Sequence, residues 1–221
     1  MLDRNKKEMI IFIPIKQNSQ RVPSKNFREF FGSPLYKHVV RKFHNHKVFI
    51  DTDSDEILEE CKKDPTMSHV TAYKREEHLT GHKVSVCDLI LHFINQFGVK
   101  EPIAQIHVTS PFLTSKLLEK AYKKITKYDS VVSCNVINSR LWRKEKYGYC
   151  PVNHNPLKME QTQDLPKYYE ENSAFYIFEP NVIKTFGTRI GQNAFFYEIN
   201  EPYNIDIDTE EDWDKAIRQI K

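Results

Sequence analysis

Three basic residues follow a short apolar segment near the beginning of the 221-residue sequence. Residues 10–13 are apolar and mostly β-branched, which predicts a buried strand, and Pro14 should end it because proline cannot donate to a sheet ladder. Lys16, Arg21 and Lys25 come next, at spacings of five and four. Such a loop can bind polyphosphate through backbone N–H groups and cationic side chains. A solvated surface loop would have the same composition, but ligands of open α/β sheets bind at the carboxyl ends of strands, which favours a phosphate site.

A pair of aspartates near the end of the sequence could bind a metal ion. Asp206 and Asp208 alternate with Ile205 and Ile207, and alternate residues of a strand point to the same face. Two carboxylates on one face can share a Mg²⁺ ion, with Mn²⁺ as a substitute, while waters and substrate phosphates complete the coordination. Two solvated aspartates at an exposed edge would give the same pattern. The basic loop elsewhere in the chain favours the metal site.

The elements that must position these residues alternate between strand and helix. Apolar, β-branched segments predict strands beginning near residues 10, 48, 70, 103 and 130, and helical spacing of apolar residues predicts helices near residues 33–43, 56–61, 84–97 and 116–127. This alternation predicts an α/β, Rossmann-like fold with a mostly parallel, doubly wound sheet and helices on both faces. Residues 135–167 lose the pattern and residues 168–178 return to strand character. Thr209 and Asp212 suit a capping box that begins a C-terminal helix.

Composition and charge exclude several classes of protein. Hydrophobic residues make up 39% of the sequence and charged residues 29%, which is ordinary for a globular domain. The net charge of +3 is too small to indicate a nucleic-acid surface, and no apolar segment approaches the roughly 20 residues of a membrane span. The four cysteines are widely spaced, which predicts free thiols rather than a zinc site. With no signal peptide near residue 1, we expect a cytoplasmic protein without nucleic-acid or membrane partners.

The basic loop resembles the opening of a known enzyme family. Residues 14–26 and 31–35 resemble the acylneuraminate (CMP-sialic acid synthetase-like) cytidylyltransferases, which activate sialic acids and related 2-keto-3-deoxy sugar acids with CTP. The family loop usually contains an arginine, glycines and Lys-Asn, followed by Gly-x-Pro-Leu. The matching residues here are Lys25-Asn26 and Gly32-Ser33-Pro34-Leu35, while Lys16 replaces the arginine and Gln17 and Asn18 replace the glycines.

Later segments resemble the same family, in the same order along the chain. They are residues 52–57, 74–79, 107–113 and 172–176. The sequence departs from the family pattern at Glu76, where a proline is usual, at His107, where a glutamine is usual, and at Leu113 and Glu170, where arginines are usual. Glu170 has a chemical consequence, because a glutamate cannot pair with the carboxylate of a sugar acid.

The resemblance implies a fold, an assembly and a reaction. It implies one nucleotide-diphospho-sugar transferase domain over residues 1–221, with residues 135–170 as an inserted dimerisation and sugar-binding subdomain, and therefore a homodimer. The implied reaction transfers CMP from CTP to a 2-keto-3-deoxy sugar acid, such as a sialic acid-like nonulosonic acid, and releases pyrophosphate. The alternatives are a nucleotidyltransferase for another nucleotide or another sugar acid such as Kdo, and a non-catalytic nucleotide-binding homologue.

The resemblance also implies roles for individual residues. Those implied in catalysis are Lys16, Arg21, Lys25 and Asp208. Those implied in nucleotide binding are Ile15, Lys16, Ser19, Lys25, Asn26, Arg75 and Ser85. Those implied in binding the acceptor are His107, Thr109, Ser110, Asn172 and Tyr176, and those implied in binding Mg²⁺ are Asp206 and Asp208.

Overall fold

The computed structural model describes residues 8–18, 22–81, 83–158 and 160–219. The strands in these ranges are β1 (Ile10–Ile15), β2 (Glu29–Phe30), β3 (Ser33–Pro34), β4 (Val48–Thr52), β5 (Val70–Lys74), β6 (Ile103–Ile106), β7 (Ser130–Ile137), β8 (Trp142–Glu145), β9 (Gly148–Pro151), β10 (Tyr168–Phe178) and β11 (Ala194–Glu198). The α-helices are α1 (Leu35–Val40), α2 (Asp55–Lys63), α3 (Val86–Phe97), α4 (Ser115–Tyr122), α5 (Pro180–Phe186) and α6 (Glu210–Arg218). Within the described ranges, no helix combines the length and the apolar character needed to cross a membrane.

The described residues form a central sheet of seven strands in the order β11-β7-β10-β6-β1-β4-β5. Strand β10 runs antiparallel to both of its neighbours, and the other pairs within the described sheet are parallel. Helices pack against both faces of this sheet. The predicted α/β, Rossmann-like architecture is therefore confirmed. Strand β1 lies between β4 and β6, so chain connections leave it in opposite directions and create the topological switch point where ligands of open α/β sheets bind.

Strand β1 contributes to hydrophobic clusters on both faces of the sheet. Ile11 and Ile13 pack into a cluster with residues of α1, α2 and α4, whereas Ile10 and Phe12 pack into a cluster with residues of α3 and α5. This division follows from the two-residue period of a strand, which turns successive side chains to opposite faces. Because both faces are covered, the strand reads as a continuous apolar run rather than an alternating one.

The prediction that Pro14 ends the first strand is wrong. Strand β1 continues to Ile15, and Pro14 and Ile15 remain in register with β4. The Ile10 N–H donates towards the β6 side and the Ile11 N–H towards the β4 side, so the position of Pro14 would direct an N–H towards β6. Strand β6 pairs with β1 only as far as Phe12. Proline therefore removes no ladder hydrogen bond, because β6 has already separated from β1 at that point.

Side-chain caps begin several of the predicted helices. The Ser54 hydroxyl accepts a hydrogen bond from the Ile57 N–H at the start of α2. Thr209 and Asp212 form a reciprocal capping box at the start of α6, with N···O distances of 3.2 and 2.9 Å. Such caps satisfy N–H groups that have no partner within the helix. The helix predicted near residues 56–61 and the capping box predicted at Thr209 and Asp212 are both confirmed.

The insertion between β7 and β10 is shorter and more regular than the predicted one. Residues 135–137 and 168–170 pair with each other as parts of the two neighbouring strands. The segment that leaves the central sheet is therefore 138–167, and it contains the hairpin β8–β9. Several of its large apolar side chains are exposed: Trp142, Tyr147, Tyr149, Val152 and Leu157. These side chains leave an apolar surface on the insertion, although Trp142 contacts the His154 ring on one side.

The segment that carries the two predicted metal ligands is extended but is not a strand. Residues 205–208 join the rest of the protein through a hydrogen bond from the Ile207 N–H to the Thr109 carbonyl, at 2.8 Å. Ile205 and Ile207 are nevertheless buried, in a cluster with Trp213 of α6. The segment bonds to the loop after β6 rather than along a strand, yet it keeps the alternation of buried isoleucines with aspartates.

Candidate active site

A cavity of about 440 Å³ opens at the carboxyl ends of β1, β5 and β6. The residues that line it come from the loops after these strands, from the start of α3, from β10 and from the segment before α6. They are Pro14, Lys16, Asn18, Lys25, Asn26, Arg75, Val84, Val86, Leu89, His107, Val108, Thr109, Ser173, Asp206 and Asp208. The basic loop and the aspartate pair, separated by about 180 positions in the sequence, thus meet at one site.

Lys25 is a buried cation that the protein holds in place in this cavity. The residue is only 8% exposed, and its Nζ atom lies 3.2 Å from an oxygen of Asp208. The same ammonium donates a hydrogen bond to the carbonyl of Ile207. A buried charge requires such partners because desolvation is costly. Lys25 therefore ties the basic loop to the aspartate segment and places positive charge beside Asp208.

Lys16 and Asn26 shape the other side of the basic loop. Lys16 is exposed, and its Nζ atom donates to the Gly81 carbonyl at 3.1 Å. Asn26 is buried, and its amide donates to the Lys16 carbonyl at 2.8 Å. Asn26 thereby holds the backbone at Lys16, while the Lys16 side chain keeps the freedom of an exposed ammonium. The two lysines consequently provide one buried and one exposed positive charge.

Arg75 lies in the wall of the cavity as half of a buried ion pair. Its guanidinium bonds to a carboxylate oxygen of Asp51 and, at 3.1 Å, to the Asp51 carbonyl. Both side chains are almost fully buried. One terminal nitrogen of Arg75 has no hydrogen-bond partner among the described residues. An arginine fixed in this way offers a planar donor to a ligand that enters the cavity.

Asp206 and Asp208 present two carboxylates to the same cavity. Burial raises the pKa of Asp206, a hydrogen bond from Thr109 lowers it, and the charge of Asp208 raises it. One Asp206 oxygen is buried without a hydrogen-bond partner among the described residues. A cation would relieve that unpaired oxygen and the repulsion between the two carboxylates. The described residues contain no group of three or more metal-binding side chains, so the remaining ligands of such a cation would come from water and substrate.

His107 belongs to a hydrogen-bonded group next to the aspartates. Its Nε2 atom lies 3.0 Å from the side-chain nitrogen of Gln105, and the Gln105 oxygen accepts a hydrogen bond from Arg189. The Arg189 guanidinium also stacks over the Tyr176 ring, 3.7 Å from its centroid. Burial lowers the pKa of His107 to about 4, and the charges of Arg189 and Lys25 lower it too, against the opposite effect of Asp208. The imidazole is therefore neutral at physiological pH.

A smaller cavity of about 270 Å³ shares Asp206 with the first one. Asn172 and Glu170 line it, and both bond to Asn135, at 3.0 and 3.1 Å. Glu170 is exposed. Ser173, which lines the larger cavity, has a φ of 57°, a conformation uncommon for a residue other than glycine. These residues of β10 form the side of the site that faces away from the basic loop.

Some predicted site residues do not line the main cavity. Ile15 lies in the hydrophobic core, and Ser85 caps α3 through a capping box with Asp88. Ser110 is buried, and Tyr176 is buried with its hydroxyl bonded to Glu171 at 2.8 Å. The predicted roles of Ser19 and Arg21 lie outside the described residues. Direct ligand contact by these residues stays a prediction.

Sequence reasoning missed several residues of the site. The apolar wall is formed by Val84, Val86 and Leu89 at the start of α3. The apolar spacing over residues 84–97 predicted a helix there and gave no sign of a ligand surface. Gln105 and Arg189 lie outside every motif recognised in the sequence, and the two are 84 positions apart. No local pattern could have joined them.

A cavity with basic and acidic walls at the switch point of a parallel sheet defines a nucleotide-binding α/β protein. The family model described as cytidylyltransferase matches residues 10–221, and this chain belongs to that family. The match spans all the elements that build the site.

Curated relatives carry the same family description in their names. The N-acylneuraminate cytidylyltransferase A of Danio rerio is 30% identical over 98% of this chain, and the aligned part is 52% of that protein. The corresponding enzyme of Oncorhynchus mykiss is 28% identical over 97% of this chain and 51% of that protein. The one from Streptococcus agalactiae serotype V is 22% identical over 96% and 53%. The chain thus spans about half the length of the curated relatives it matches.

Solved structures share the fold at low sequence identity. CMP:2-keto-3-deoxy-manno-octonic acid synthetase, solved in complex with CTP, has a TM-score of 0.68 and 14% identity, covering 97% of this chain and 98% of that one. The 4-diphosphocytidyl-2C-methyl-D-erythritol synthase of Anaerococcus prevotii also has a TM-score of 0.68, with 13% identity over 97% and 96%. These similarities establish the fold.

Proposed function

We propose that this protein transfers CMP from CTP to a 2-keto-3-deoxy sugar acid of the nonulosonic acid type and releases pyrophosphate. The observation that carries the proposal is the meeting of Lys16 and Lys25 with Asp206 and Asp208 in one cavity of a cytidylyltransferase-family chain. Relatives named N-acylneuraminate cytidylyltransferases support the acceptor class. We also propose that the reaction takes place in the cytoplasm, where CTP is available.

The cytidine triphosphate would bind between the basic loop and the start of α3. Lys16 and Lys25 would neutralise the phosphates, since the loop containing them follows the first strand of the sheet. Arg75 and the apolar wall of Val84 and Leu89 would hold the nucleoside, because they combine a fixed donor with a flat hydrophobic surface. Phosphoryl-type transfer depends mainly on such positioning and on charge neutralisation.

Transfer proceeds when the anomeric hydroxyl of the acceptor attacks the α-phosphorus and pyrophosphate leaves from the opposite side. Lys25 would stabilise the charge that develops on the phosphates, because it is held in a buried position and needs no reorganisation. Lys16 would neutralise charge on the leaving pyrophosphate as an exposed cation. The hydroxyl proton would pass to water or to a carboxylate of the aspartate pair.

Asp206 and Asp208 fit the binding of Mg²⁺, or of Mn²⁺ in its place. Carboxylate oxygens are the ligands that these ions prefer, and one Asp206 oxygen lacks a partner among the described residues. When bound, the ion would neutralise phosphate charge and raise the electrophilicity of the α-phosphorus. In the site without ion and nucleotide, Lys25 would balance the charge of Asp208.

We further propose that the protein acts as a homodimer through the insertion 138–167. The exposed apolar side chains of this segment would be covered by the second copy. The insertion connects β7 and β10, and β10 carries the residues of the smaller cavity. A dimer formed there would enclose the side of the site where we place the acceptor.

Pyrophosphate release tests the function directly. Purified protein is incubated with CTP, UTP, ATP or GTP and a panel of nonulosonic and octulosonic acids, with Mg²⁺, with Mn²⁺ or with excess chelator. We expect release only with CTP, a sugar acid and a divalent ion, and a loss of at least about 100-fold for Asp208→Asn. The matched control Asp214→Asn changes an exposed aspartate of α6 and should retain full turnover. CTP binding without release of its pyrophosphate in the presence of any acceptor would instead indicate the non-catalytic homologue.

A further inference from the structure

The donors and acceptors around Gln105 determine which nitrogen of His107 carries the proton. Arginine only donates hydrogen bonds, so the Gln105 atom that faces Arg189 must be the amide oxygen. The Gln105 nitrogen then faces His107 at 3.0 Å and the Ile106 carbonyl at 3.2 Å. An amide nitrogen also only donates, so Nε2 of His107 must accept. A neutral imidazole that accepts at Nε2 carries its proton at Nδ1.

The other contacts of Gln105 and Arg189 support the same position of the His107 proton. Gln105 is fully buried in β6, and both of its N–H bonds have an acceptor. A flipped Gln105 amide would turn its nitrogen towards the Arg189 guanidinium, donor against donor. The Arg189 guanidinium is itself fixed by stacking on Tyr176. The charged groups that face His107 are Arg189, Lys25 and Asp208.

We propose that Arg189 is a positioning residue: acting through Gln105, it holds His107 as the Nδ1–H tautomer, which donates a hydrogen bond to the carboxylate of the acceptor sugar acid. We infer a carboxylate as the group that His107 binds from the chemistry of the wall of the main cavity. His107 lines the main cavity and offers a donor, and Arg189 and Lys25 place positive charge near it, against the negative charge of Asp208. The part that concerns the acceptor rests on the proposed function, whereas the tautomer does not.

Nitrogen NMR of the imidazole rings in the full chain without ligand reads the tautomer directly. His107→Gln identifies the His107 signals among those of the nine histidines. We expect a protonated Nδ1 and an unprotonated Nε2 in the unmodified protein. In Gln105→Glu, the carboxylate would accept hydrogen bonds from both Arg189 and His107. The His107 proton should therefore move to Nε2. An Nε2–H tautomer in the unmodified protein would overturn the proposal, and so would an unchanged tautomer in Gln105→Glu.

Kinetics test the contribution of Arg189. Arg189→Met should raise the KM of the sugar acid at least about tenfold and change the KM of CTP less than about twofold, because it releases the Gln105 amide. Arg189→Lys keeps a donor facing the Gln105 oxygen and should recover most of the loss. The control Arg218→Met changes an exposed arginine of α6 and should alter neither constant. Equal rises of both KM values, or no rise in Arg189→Met, would reject the positioning role.

The NMR and kinetic measurements distinguish a failure of the proposed function from a failure of the proposed role of Arg189. Absence of transfer to every sugar acid would contradict the proposed function, while NMR would still decide whether Arg189 orients His107. In that case the Arg189→Met spectrum should show a mixture of His107 tautomers. A single Nδ1–H tautomer in Arg189→Met would reject the inference independently of any activity.

Discussion

The two sides of the cavity are built in different ways. On the side of the basic loop, Lys25, Asn26 and Arg75 are buried and each is bonded to groups of its own protein. On the side of β10 and the insertion, Glu170 and the aromatic residues of the hairpin are exposed, and Tyr147 reaches 90% exposure.

This difference indicates which part of the site is preorganised. Buried and bonded groups pay their desolvation and entropy costs during folding, so a ligand need not order them. For exposed groups, the desolvation and entropy costs arise only when a ligand or a second copy binds. The side where we propose that the nucleotide binds is therefore preorganised within one chain, and the proposed acceptor side is the part that we expect a partner subunit to complete. Four predictions test this contrast, in order of decreasing expected effect.

The largest effect should come from breaking the buried pair of Arg75 and Asp51. Arg75→Met leaves the Asp51 carboxylate buried without its partner, which should lower the free energy of unfolding by about 3–5 kcal/mol. The double variant Arg75→Met/Asp51→Leu should recover most of that stability without recovering CTP binding. Urea unfolding and CTP titration measure both quantities. A stable Arg75→Met protein would show that the nucleotide side is not held by this pair.

The two lysines should differ according to their burial. Lys25→Ala removes a buried charge beside Asp208, and we expect turnover to fall about 100-fold and the free energy of unfolding to fall with it. Lys16→Ala removes an exposed charge, and we expect turnover to fall about tenfold with unchanged stability. Steady-state kinetics with CTP and thermal unfolding measure these effects. Near-normal turnover in both variants would place the phosphates elsewhere.

Exposed aromatic residues of the insertion should control assembly. Trp142→Ser and Tyr147→Ser each remove apolar area from the proposed interface, and we expect each to weaken dimerisation at least about tenfold. Phe186→Ser, an exposed aromatic at the end of α5, is the control and should leave assembly unchanged. Analytical ultracentrifugation over a concentration series reads the dissociation constant. A monomeric unmodified protein at micromolar concentration would contradict the proposed dimer.

The smallest effect concerns the pH dependence of stability at Asp206. Burial raises the pKa of Asp206 above its ordinary value of 3.8, so ionisation of this group opposes folding. The cost is absent below pH 3.8 and grows as the pH rises through the raised pKa. Asp206→Asn should therefore raise the Tm at pH 7, with no gain below pH 3.8, and it should also lower turnover.

Asp208→Asn provides the comparison for that experiment. It loses the ion pair with Lys25, so its Tm at pH 7 should fall rather than rise. Calorimetry of both variants from pH 3 to pH 8 decides the matter. A lower Tm for Asp206→Asn at pH 7 would mean that the unpaired carboxylate does not destabilise the protein.

The sequence by itself determined most of the strands and helices of the central sheet, but not α5, β11 or the hairpin β8–β9, and it pointed to several residues that the cavity brings together. The spacing of apolar residues, the β-branched segments and the capping residues Ser54 and Thr209 are all local signals. Such signals predict strands, helices and helix starts. The alternation of these elements was enough for the mostly parallel sheet. Lys16, Lys25, Asp206 and Asp208 were found because residue types and spacing expose their chemistry.

The tertiary structure decided everything that depends on which strand ends meet. The Pro14 position is tolerated only because β6 separates from β1 at that point, which no pattern around residue 14 encodes. Lys25 meets Asp208 across 183 positions, and Arg189 meets Gln105 across 84. Such contacts arise from the packing of the whole sheet and not from local propensity. For that reason the sequence indicates which residues can act, and only the fold brings Arg189, Gln105 and His107 into one group.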